Sequence, residues 1–411
     1  MGIGSKTIVL VGALDTKGPD YAFVKSEIER RGHRALVVDT SVTGQPGFAA
    51  DVSAAEVAAA GGSSLDELRA KADRGFAMEV MTRGVAVVAR RLYDDGKLDG
   101  ILALGGSAGA ALGTSAMRAL PLGVPKVMVT TVASGDTKPY VGTRDVVMFP
   151  SVVDVAGVNR ISAKIYANAV GAIVGMVETE APPVAAKPLI AATMFGNTTP
   201  AVERAKAIFE GHGYEVLVFH ATGTGGRTME DLVADSFFEG VADITTTEWA
   251  DELVGGVLTA GPTRLEAAGK AGIPQVIVPG CLDMVNFWAP ETVPEKFKDR
   301  RFYRWNPNVT LMRTTPEENA ELGRILAEKA NAARGPVAFY LPLKGVSMLD
   351  APGKEFWWPE ADAALFEAIK RHVRPDIPVH ELDANINDPA FAEAVAAGLL
   401  EFLRSRVPAA G

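Results

Sequence analysis

The sequence predicts an α/β protein built from two doubly wound parallel-sheet domains, of the Rossmann or flavodoxin-like type, that are related by an internal repeat. Short apolar runs alternate with helical patterns along the 411 residues. Two parallel strands need a crossover of a dozen or more residues between them, usually a helix. Residues 19–44 also match residues 200–225 without a gap. The same structural unit is therefore expected twice.

The first copy is predicted to begin with a strand over residues 8–11 and to enter a helix at Pro19 after a polar loop, because proline suits the first helical turn. This helix ends near Gly32, and a second strand covers residues 35–38. The second copy is predicted in the same order, as a strand over 189–193, a helix from Pro200 to about Gly213 and a strand over 216–219. Asp39 and His220 then occupy equivalent positions at the ends of the second strands.

A later part of the repeat pairs residues 100–105 with 256–261, and residues 123–127 with 272–276. The proline-rich segment 178–188 has no hydrophobic period, so the domain boundary is placed there, giving domains over residues 1–181 and 182–411. The second domain continues with a helix opened by a capping box at Thr315 and ending near Gly335. Strands over 337–341 and 378–382 and a helix over 388–404 complete the prediction.

Composition limits the partners and the compartment. The net charge of −9 without a basic patch disfavours nucleic acid as a partner. The only cysteine, Cys281, excludes an intrachain disulfide and fits a reducing compartment. No basic, apolar and cleavable leader is seen, and no apolar run reaches the length of about 18 residues that a membrane helix needs. We therefore expect a cytoplasmic protein with a small-molecule ligand.

Four loops of the first domain combine glycines, hydroxyls, a lysine and carboxylates. In open parallel sheets, ligands bind beyond the carboxyl ends of the strands. Glycines permit close backbone approach, hydroxyls donate hydrogen bonds, and carboxylates can hold ribose or Mg²⁺. The pattern resembles a nucleotide site, although neither the P-loop string nor the dinucleotide fingerprint occurs. The candidate residues are Asp15, Thr16, Lys17, Asp39, Thr40, Gly105, Gly106, Ser107, Gly109, Thr130, Thr131, Ser134, Gly135 and Asp136.

The second domain carries a different polar set at the corresponding strand ends. His220, Glu248 and Asp283 are predicted to converge on one pocket and to act as acid and base, or to bind a metal whose identity is left open. Arg313 at a helix start favours an anionic ligand. The predicted substrate-binding residues are Thr222, Gly223, Gly225, Gly226, Asn286, Arg313, Thr314 and Ser347.

Five separated motifs carry a resemblance to a known family. They lie at residues 12–18, 105–107, 219–223, 245–248 and 282–287. In these motifs the chain resembles the Tm-one-like ATP-binding-domain family, named for a tomato mosaic virus resistance protein. The resemblance covers nearly the whole chain and implies ATP binding in the first domain and a homodimer of two-domain subunits. Trp305 stands where relatives often have the histidine of a His-Asn-Pro motif, which puts a catalytic role for that position in doubt.

Three functions fit these observations. The first is an ATP-binding, enzyme-like protein that holds ATP, with or without Mg²⁺, in the first domain and a small anionic metabolite in the second. The second is a nucleotide-sensing or partner-binding module without catalysis, in which ATP favours one arrangement of the domains. The third is a metal-assisted lyase or hydrolase that acts in the second domain.

Overall fold

The computed structural model describes residues 4–184 and 186–406. The chain divides into two compact units, Met1–Val184 and Ala185–Gly411. Each unit contains its own parallel sheet. None of the helices in the described part of the chain combines the length and the hydropathy of a bilayer span.

The first unit is a five-stranded parallel sheet with the order β2-β1-β3-β4-β5. This is the flavodoxin-like order, in which the winding reverses between β1 and β3. The strands are β1 (Thr7–Gly12), β2 (Arg34–Asp39), β3 (Gly100–Gly105), β4 (Lys126–Thr130) and β5 (Val147–Pro150), and the helices are α1 (Leu14–Arg30), α2 (Ala54–Ala60), α3 (Leu65–Lys71), α4 (Arg74–Asp94), α5 (Ser107–Arg118), α6 (Lys138–Val141) and α7 (Ser162–Glu178).

Strand β1 shows why the sequence forms a sheet covered on both faces. Successive side chains of a strand point to opposite faces. Ile8 and Leu10 pack in one buried cluster, whereas Val9 and Val11 pack in another. A strand buried on both faces reads as a continuous apolar run, which is the pattern of parallel sheets.

The second unit repeats this sheet and extends it, with the order β14-β13-β9-β8-β6-β7 and a separate antiparallel sheet β10-β12-β11. The strands are β6 (Leu189–Met194), β7 (Glu215–His220), β8 (Gly240–Thr245), β9 (Gln275–Gly280), β10 (Met284–Phe287), β11 (Phe302–Asn306), β12 (Val309–Arg313), β13 (Val337–Pro342) and β14 (Val379–Leu382), and the helices are α8 (Thr199–Gly211), α9 (Thr224–Ala234), α10 (Glu248–Val254), α11 (Ala267–Ala271), α12 (Pro316–Asn331), α13 (Pro359–His372) and α14 (Pro389–Arg406).

The second sheet has the same strand order as the first when it is read from β7. Its order is then β7-β6-β8-β9-β13, which corresponds to β2-β1-β3-β4-β5 of the first unit. The predicted fold class and internal repeat are therefore confirmed. Pro200 lies in the first turn of α8 as predicted. The capping box of α12 also forms, since the Glu318 amide donates to Thr315 Oγ1 at 3.2 Å and the Thr315 amide donates to Glu318 Oε2 at 2.8 Å.

The predicted start of the first helix is wrong. Helix α1 begins at Leu14, so that residues 15–18 are helical and Pro19 lies inside the helix. The early start is stabilised by side chains from beyond β2. The Leu14 amide donates to Asp39 Oδ1 at 3.1 Å and the Asp15 amide donates to Ser41 Oγ at 3.0 Å. These partners satisfy first-turn amides that have no acceptor within the helix.

The predicted equivalence of residues 100–105 and 256–261 is also wrong. The strand that corresponds to β3 is β8, and residues 256–261 form a loop. The Gly256 amide donates to the Asp251 carbonyl at 2.9 Å. Asp251 Oδ1 lies 1.6 Å from the position that a Cβ of Gly256 would occupy. A glycine is therefore needed here because the Asp251 side chain packs against the loop, and Gly256 does not begin a strand.

Candidate functional site

The first unit has a cavity of about 950 Å³ at the carboxyl ends of β1 and β3. These two strands flank the point where the winding of the sheet reverses, which is where doubly wound folds bind their ligands. Its volume lies within the range of about 300–1,000 Å³ that is usual for small-molecule sites. This cavity is therefore the candidate functional site.

Many of the residues predicted to bind the cofactor line this cavity. Those that do are Asp15, Thr16, Lys17, Thr40, Gly105, Gly106, Ser107 and Gly109. They come from the start of α1, the end of β2, and the turn between β3 and α5. The sheet topology thus brings together three segments that lie up to about 90 residues apart in the sequence, as the parallel-sheet rule predicts.

The start of helix α5 forms one end of the cavity. Its N-cap residue, Gly106, has no side chain to cap the helix. The first intrahelical bond is donated by the Ala110 amide to the Gly106 carbonyl at 2.8 Å. In the described part of the chain the amides of Ser107, Ala108 and Gly109 have no hydrogen-bond acceptor. Uncapped first-turn amides together with the helix dipole bind anions.

The two glycines of this turn serve different purposes. A Cβ on Gly105 would lie 2.8 Å from the Cα of Gly109, so packing requires a glycine there. A Cβ on Gly106 would have Thr131 Oγ1 as its nearest neighbour, at 3.8 Å. Packing therefore leaves the space beside Gly106 open. A ligand that approaches the α5 amides would use that space.

The charges around the cavity are mixed, and part of its lining is apolar. The lining cations are Lys17, Arg69 and Arg74, the lining carboxylates are Asp15, Asp73 and Asp154, and the larger apolar side chains are Val42, Leu68, Met78, Met81 and Leu112. Lys17 is half-buried and makes no ion pair within the described residues. Arg69 donates from Nε to the Val42 carbonyl at 2.6 Å, which ties α3 to the loop after β2. The lining thus offers both cations for an anionic group and apolar side chains for a ring.

Asp39, predicted to bind the cofactor, is not among the residues that line the cavity. Its side chain is buried, and Oδ1 accepts hydrogen bonds from the Leu14 amide at 3.1 Å, the Ser41 amide at 2.9 Å and Ser41 Oγ at 2.5 Å. The carboxylate caps α1 and fixes the loop after β2. An external anion is therefore better placed at α5 than at α1.

The loop after β4 lies outside the residues that line the cavity. Thr130 is buried and its Oγ1 accepts from the Val132 amide at 3.2 Å. Ser134 donates to the Thr131 carbonyl at 3.3 Å, and Asp136 accepts from the Lys138 amide at 3.0 Å. Gly135 caps the short turn over Thr131–Ser134. These contacts are local, and only Thr131 comes close to Gly106.

In the second unit, Glu248 belongs to a buried ionic cluster around Arg264, which sequence reasoning missed. Arg264 is 1% exposed. Its Nε donates to Glu248 Oε2 at 2.7 Å, and its Nη1 donates to Asp243 Oδ2 at 2.7 Å and to Glu230 Oε1 at 3.1 Å. Burial acts to lower the pKa of Arg264, but the carboxylates of Asp243, Glu248 and Glu230 raise it well above its ordinary value.

This cluster explains the glycine-rich loop that was predicted to bind a substrate. Glu248 Oε1 accepts from the Gly223 amide at 2.7 Å and from the Gly226 amide at 3.1 Å. A Cβ on Gly226 would lie 2.1 Å from Glu248 Oε2, and one on Gly225 would lie 1.9 Å from the His220 carbonyl oxygen. Gly223 has a φ of +82°. The carboxylate of the chain itself therefore occupies the anion-binding position of this loop.

Asp283 lies in a second buried cluster, formed with Arg313, Asp350 and Asp362. Asp283 Oδ2 accepts from Ser347 Oγ at 2.8 Å, and Arg313 Nη2 donates to Asp362 Oδ1 at 2.6 Å. Burial raises the pKa of Asp283 and of Asp362, and the charge of Asp350 raises both further. The three carboxyl groups outnumber their one cation, so the folded protein releases protons here at a higher pH than isolated aspartates would.

The remaining predicted substrate residues are committed to internal hydrogen bonds. Thr314 Oγ1 donates to the Leu282 carbonyl at 2.8 Å, and Asn286 Nδ2 donates to Asp251 Oδ2 at 2.6 Å. Ser347 Oγ also accepts from the Leu349 and Asp350 amides, each at 3.0 Å. Thr222 Oγ1 contacts the His220 carbonyl at 3.3 Å.

The three predicted catalytic side chains have different surroundings. His220 is exposed, and its ring centroid lies 5.6 Å from that of Phe195. Glu248 and Asp283 are buried in the two separate clusters described above. Among residues 4–184 and 186–406, no hydrogen bond or ion pair joins any two of these three side chains. Likewise, no group of three or more His, Cys, Asp or Glu in those ranges is arranged to hold a metal ion.

The fold and the cavity define the class of this protein, which has two doubly wound α/β units and a ligand-sized cavity at the switch point of the first. A family model described as the N-terminal domain of the uncharacterised protein family UPF0261 matches residues 6–182, and a model of the C-terminal domain of the same family matches residues 187–403. The chain belongs to this family.

Relatives of known sequence agree with this assignment. A UPF0261 protein of Clostridium tetani is 52% identical over 401 residues, which are 97% of this chain and 99% of that protein. A UPF0261 protein of Rhizobium meliloti is 48% identical over 398 residues, 95% of this chain and 98% of that protein. The tomato ToMV resistance protein Tm-1(GCR237) is 45% identical over 336 residues, 80% of this chain but 45% of that protein. The predicted resemblance to the Tm-one-like family is confirmed.

We predict that Arg264→Met strongly destabilises the second unit. The substitution leaves Asp243 and Glu248 buried without a cation, and breaking a buried ion pair costs about 3–5 kcal/mol. Urea unfolding followed by tryptophan fluorescence measures the change. The control is Arg204→Met, whose side chain is 51% exposed and pairs with Glu393 at the surface; it should cost less than about 1 kcal/mol. Equal stability of the two variants would contradict the role assigned to Arg264.

We expect the stability of the protein to depend on pH because of the buried carboxyl group of Asp251. Burial raises the pKa of Asp251 from 3.8 to about 7, although hydrogen bonds from Asn286 partly offset the effect. The folded protein therefore keeps a proton that the unfolded chain releases. The contribution of Asp251 to the free energy of unfolding should fall as the pH rises from about 4 to about 7 and should then level off.

We expect Asp251→Asn to remove this dependence, because the amide carries no charge. Relative to wild type, the melting temperature of the variant should rise between pH 5 and pH 8, with a gain of about 1–4 kcal/mol at pH 8. Asn286 can accept the new donor, since its Oδ1 is buried without a partner. Asp299→Asn, at an exposed position, is the control. A difference that stays constant with pH would show that Asp251 is ionised in the folded protein.

Proposed function

We propose that the protein is an ATP-binding protein and that its first unit holds the nucleotide in the cavity between β1 and β3. The proposal rests mainly on the start of helix α5, which no side chain caps. The amides of Ser107, Ala108 and Gly109 have no hydrogen-bond acceptor in the described part of the chain. The space beside the cap residue Gly106 is open, since an added Cβ would have Thr131 Oγ1 as its nearest neighbour, at 3.8 Å. Phosphate groups at helix N-termini are bound by this combination of amides and dipole.

The rest of the cavity suits the other parts of a nucleotide. Lys17 supplies a cation that makes no ion pair with the described residues, and Thr16 and Ser107 supply hydroxyl donors. The apolar wall that contains Leu68, Met78 and Met81 can pack against a flat ring. The identity of the base as adenine rests on membership of the family that the sequence resembles.

A magnesium ion fits the proposal without a dedicated metal site. Mg²⁺ in nucleotide sites is held by one or two carboxylates together with the phosphates of the substrate. Asp15 and Asp154 line the cavity and are the candidates, although each already accepts one backbone hydrogen bond, from Gly44 at 3.0 Å and Val155 at 2.9 Å. Their role would be to orient an ion that neutralises the phosphates.

The proposed function is the binding of ATP and includes no catalytic step. His220, Glu248 and Asp283 lie in separate surroundings, which favours a nucleotide-sensing or partner-binding module over an enzyme that couples ATP to a metabolite in the second unit. A cytoplasmic homodimer, as the family resemblance implies, completes the proposed description. Sedimentation at micromolar protein concentration tests the dimer.

The test of ATP binding is calorimetry on the full chain with a substitution at Gly106. Gly106 has a φ of −74° and open space around it, so Gly106→Val is expected to fold. The isopropyl group would cover the α5 amides. The variant would then lose a hydrogen bond from an α5 amide to the charged phosphate, which contributes about 1.5–3 kcal/mol. ATP binding should therefore weaken by about 10- to 100-fold.

Gly171→Val is the matched control, because Gly171 is exposed on α7 and a Cβ added there would meet nothing within 4 Å. It should bind ATP as the wild type does. The proposal fails if wild-type protein gives no binding heat with ATP or ADP at about 1 mM, where even a complex of about −4 kcal/mol would be half formed. It also fails if Gly106→Val binds ATP as tightly as Gly171→Val.

A further inference from the structure

Strands β1 and β3 separate at the edge of the cavity. Strand β1 stays paired with β2 up to Gly12, and β3 stays paired with β4 up to Gly105. The last pair between β1 and β3 themselves is Val11 with Ala103. The two strands thus part just before the turns that line the cavity.

The hydroxyl of Tyr21, a fully buried residue of α1, lies where the next rung of the β1–β3 ladder would form. A regular parallel ladder continued from Val11 and Ala103 would join the Leu104 amide to the Val11 carbonyl. Both groups bond to the Tyr21 hydroxyl. The Leu104 amide donates to it at 2.8 Å, and the hydroxyl donates to the Val11 carbonyl, with the Leu104 carbonyl also within 3.0 Å.

The aromatic ring of Tyr21 occupies the space beside Gly12. A Cβ on Gly12 would lie 2.0 Å from Cζ of Tyr21, so the ring can reach this position only past a glycine. Burial raises the pKa of Tyr21, and the hydroxyl therefore remains protonated and able to donate. Gly12 and Gly105 both line the cavity.

We infer that Tyr21 is a positioning residue that holds the ends of β1 and β3 apart and thereby sets the width of the phosphate end of the cavity. The inference rests on the proposed nucleotide site. Tyr21 is not among the residues that line the cavity, so it acts through Gly12 and the turn at Gly105. A tyrosine that contributed only to core packing would not need its hydroxyl for ligand binding.

The test compares Tyr21→Phe with Tyr166→Phe in the full-length protein. Tyr166 is a matched control, because it is also buried in the first unit and donates its hydroxyl hydrogen bond to Asp20 at 2.9 Å, away from the cavity lining. Tyr21→Phe should raise the ATP dissociation constant about tenfold, the effect of one buried hydrogen bond. Tyr166→Phe should leave it within about twofold of wild type, although both variants melt at a lower temperature.

Crystal structures of the ligand-free variants separate this inference from the proposed function. The distance between the Cα atoms of Gly12 and Gly105 should shorten in Tyr21→Phe and stay the same in Tyr166→Phe. An unchanged distance, or ATP affinity equal to that of Tyr166→Phe, would overturn the inference. If the wild type binds no ATP, the proposed function fails, and the crystallographic distance alone then decides whether Tyr21 holds the strands apart.

Discussion

Every helix that follows a parallel strand starts at the carboxyl edge of the sheet with amides that lack an acceptor within the helix, and this constraint organises both units. The chain satisfies most of these amides itself. Asp39 caps α1, Glu248 caps α9, and Glu230 accepts from the Leu265, Glu266 and Ala267 amides at the start of α11. Helices α5 and α9 both have a glycine as their cap residue, but Glu248 reaches the amides of α9, whereas no side chain in the described part of the chain accepts from the first amides of α5. The position left for an external anion follows from this difference.

The buried carboxylates that cap helices in the second unit share one counter-charge, Arg264. It contacts Glu248 and Glu230, which cap two helices, and Asp243, which lies on the central strand β8. The guanidinium fork matches several carboxylates at once, which an ammonium group cannot do in this geometry. The conformation of the glycine loop at Gly223 thus depends on a residue about 40 positions further along the chain.

Features that depend on local sequence patterns could be predicted from the sequence, whereas features that depend on side chains distant in the chain could not. Apolar runs located most strands of the two parallel sheets, although β5 and β8 were not predicted, and the glycines at 105–106 located the cavity. The start of α1 was missed because its cap, Asp39, lies beyond the next strand, so that Pro19 was the only local signal. Tyr21 and Arg264 were missed because a buried polar side chain looks like any other tyrosine or arginine until its partners are known. Glycine motifs were ambiguous for the same reason, since Gly226 accommodates Glu248 whereas Gly106 faces open space.

The two copies of the internal repeat share one architecture but differ at the edge of the sheet where the strands end. After β3, helix α5 opens with the small residues Ser107, Ala108 and Gly109, and a cavity remains beside it. After the equivalent strand β8, helix α10 opens with Glu248 and Trp249, which are both buried. The Glu248 carboxylate then reaches the amides at Gly223 and Gly226. The size and charge of the first helical residues therefore decide whether a carboxylate of the chain fills the edge, as at Glu248, or the edge stays open, as beside Gly106, and this difference is why we propose ligand binding in the first unit.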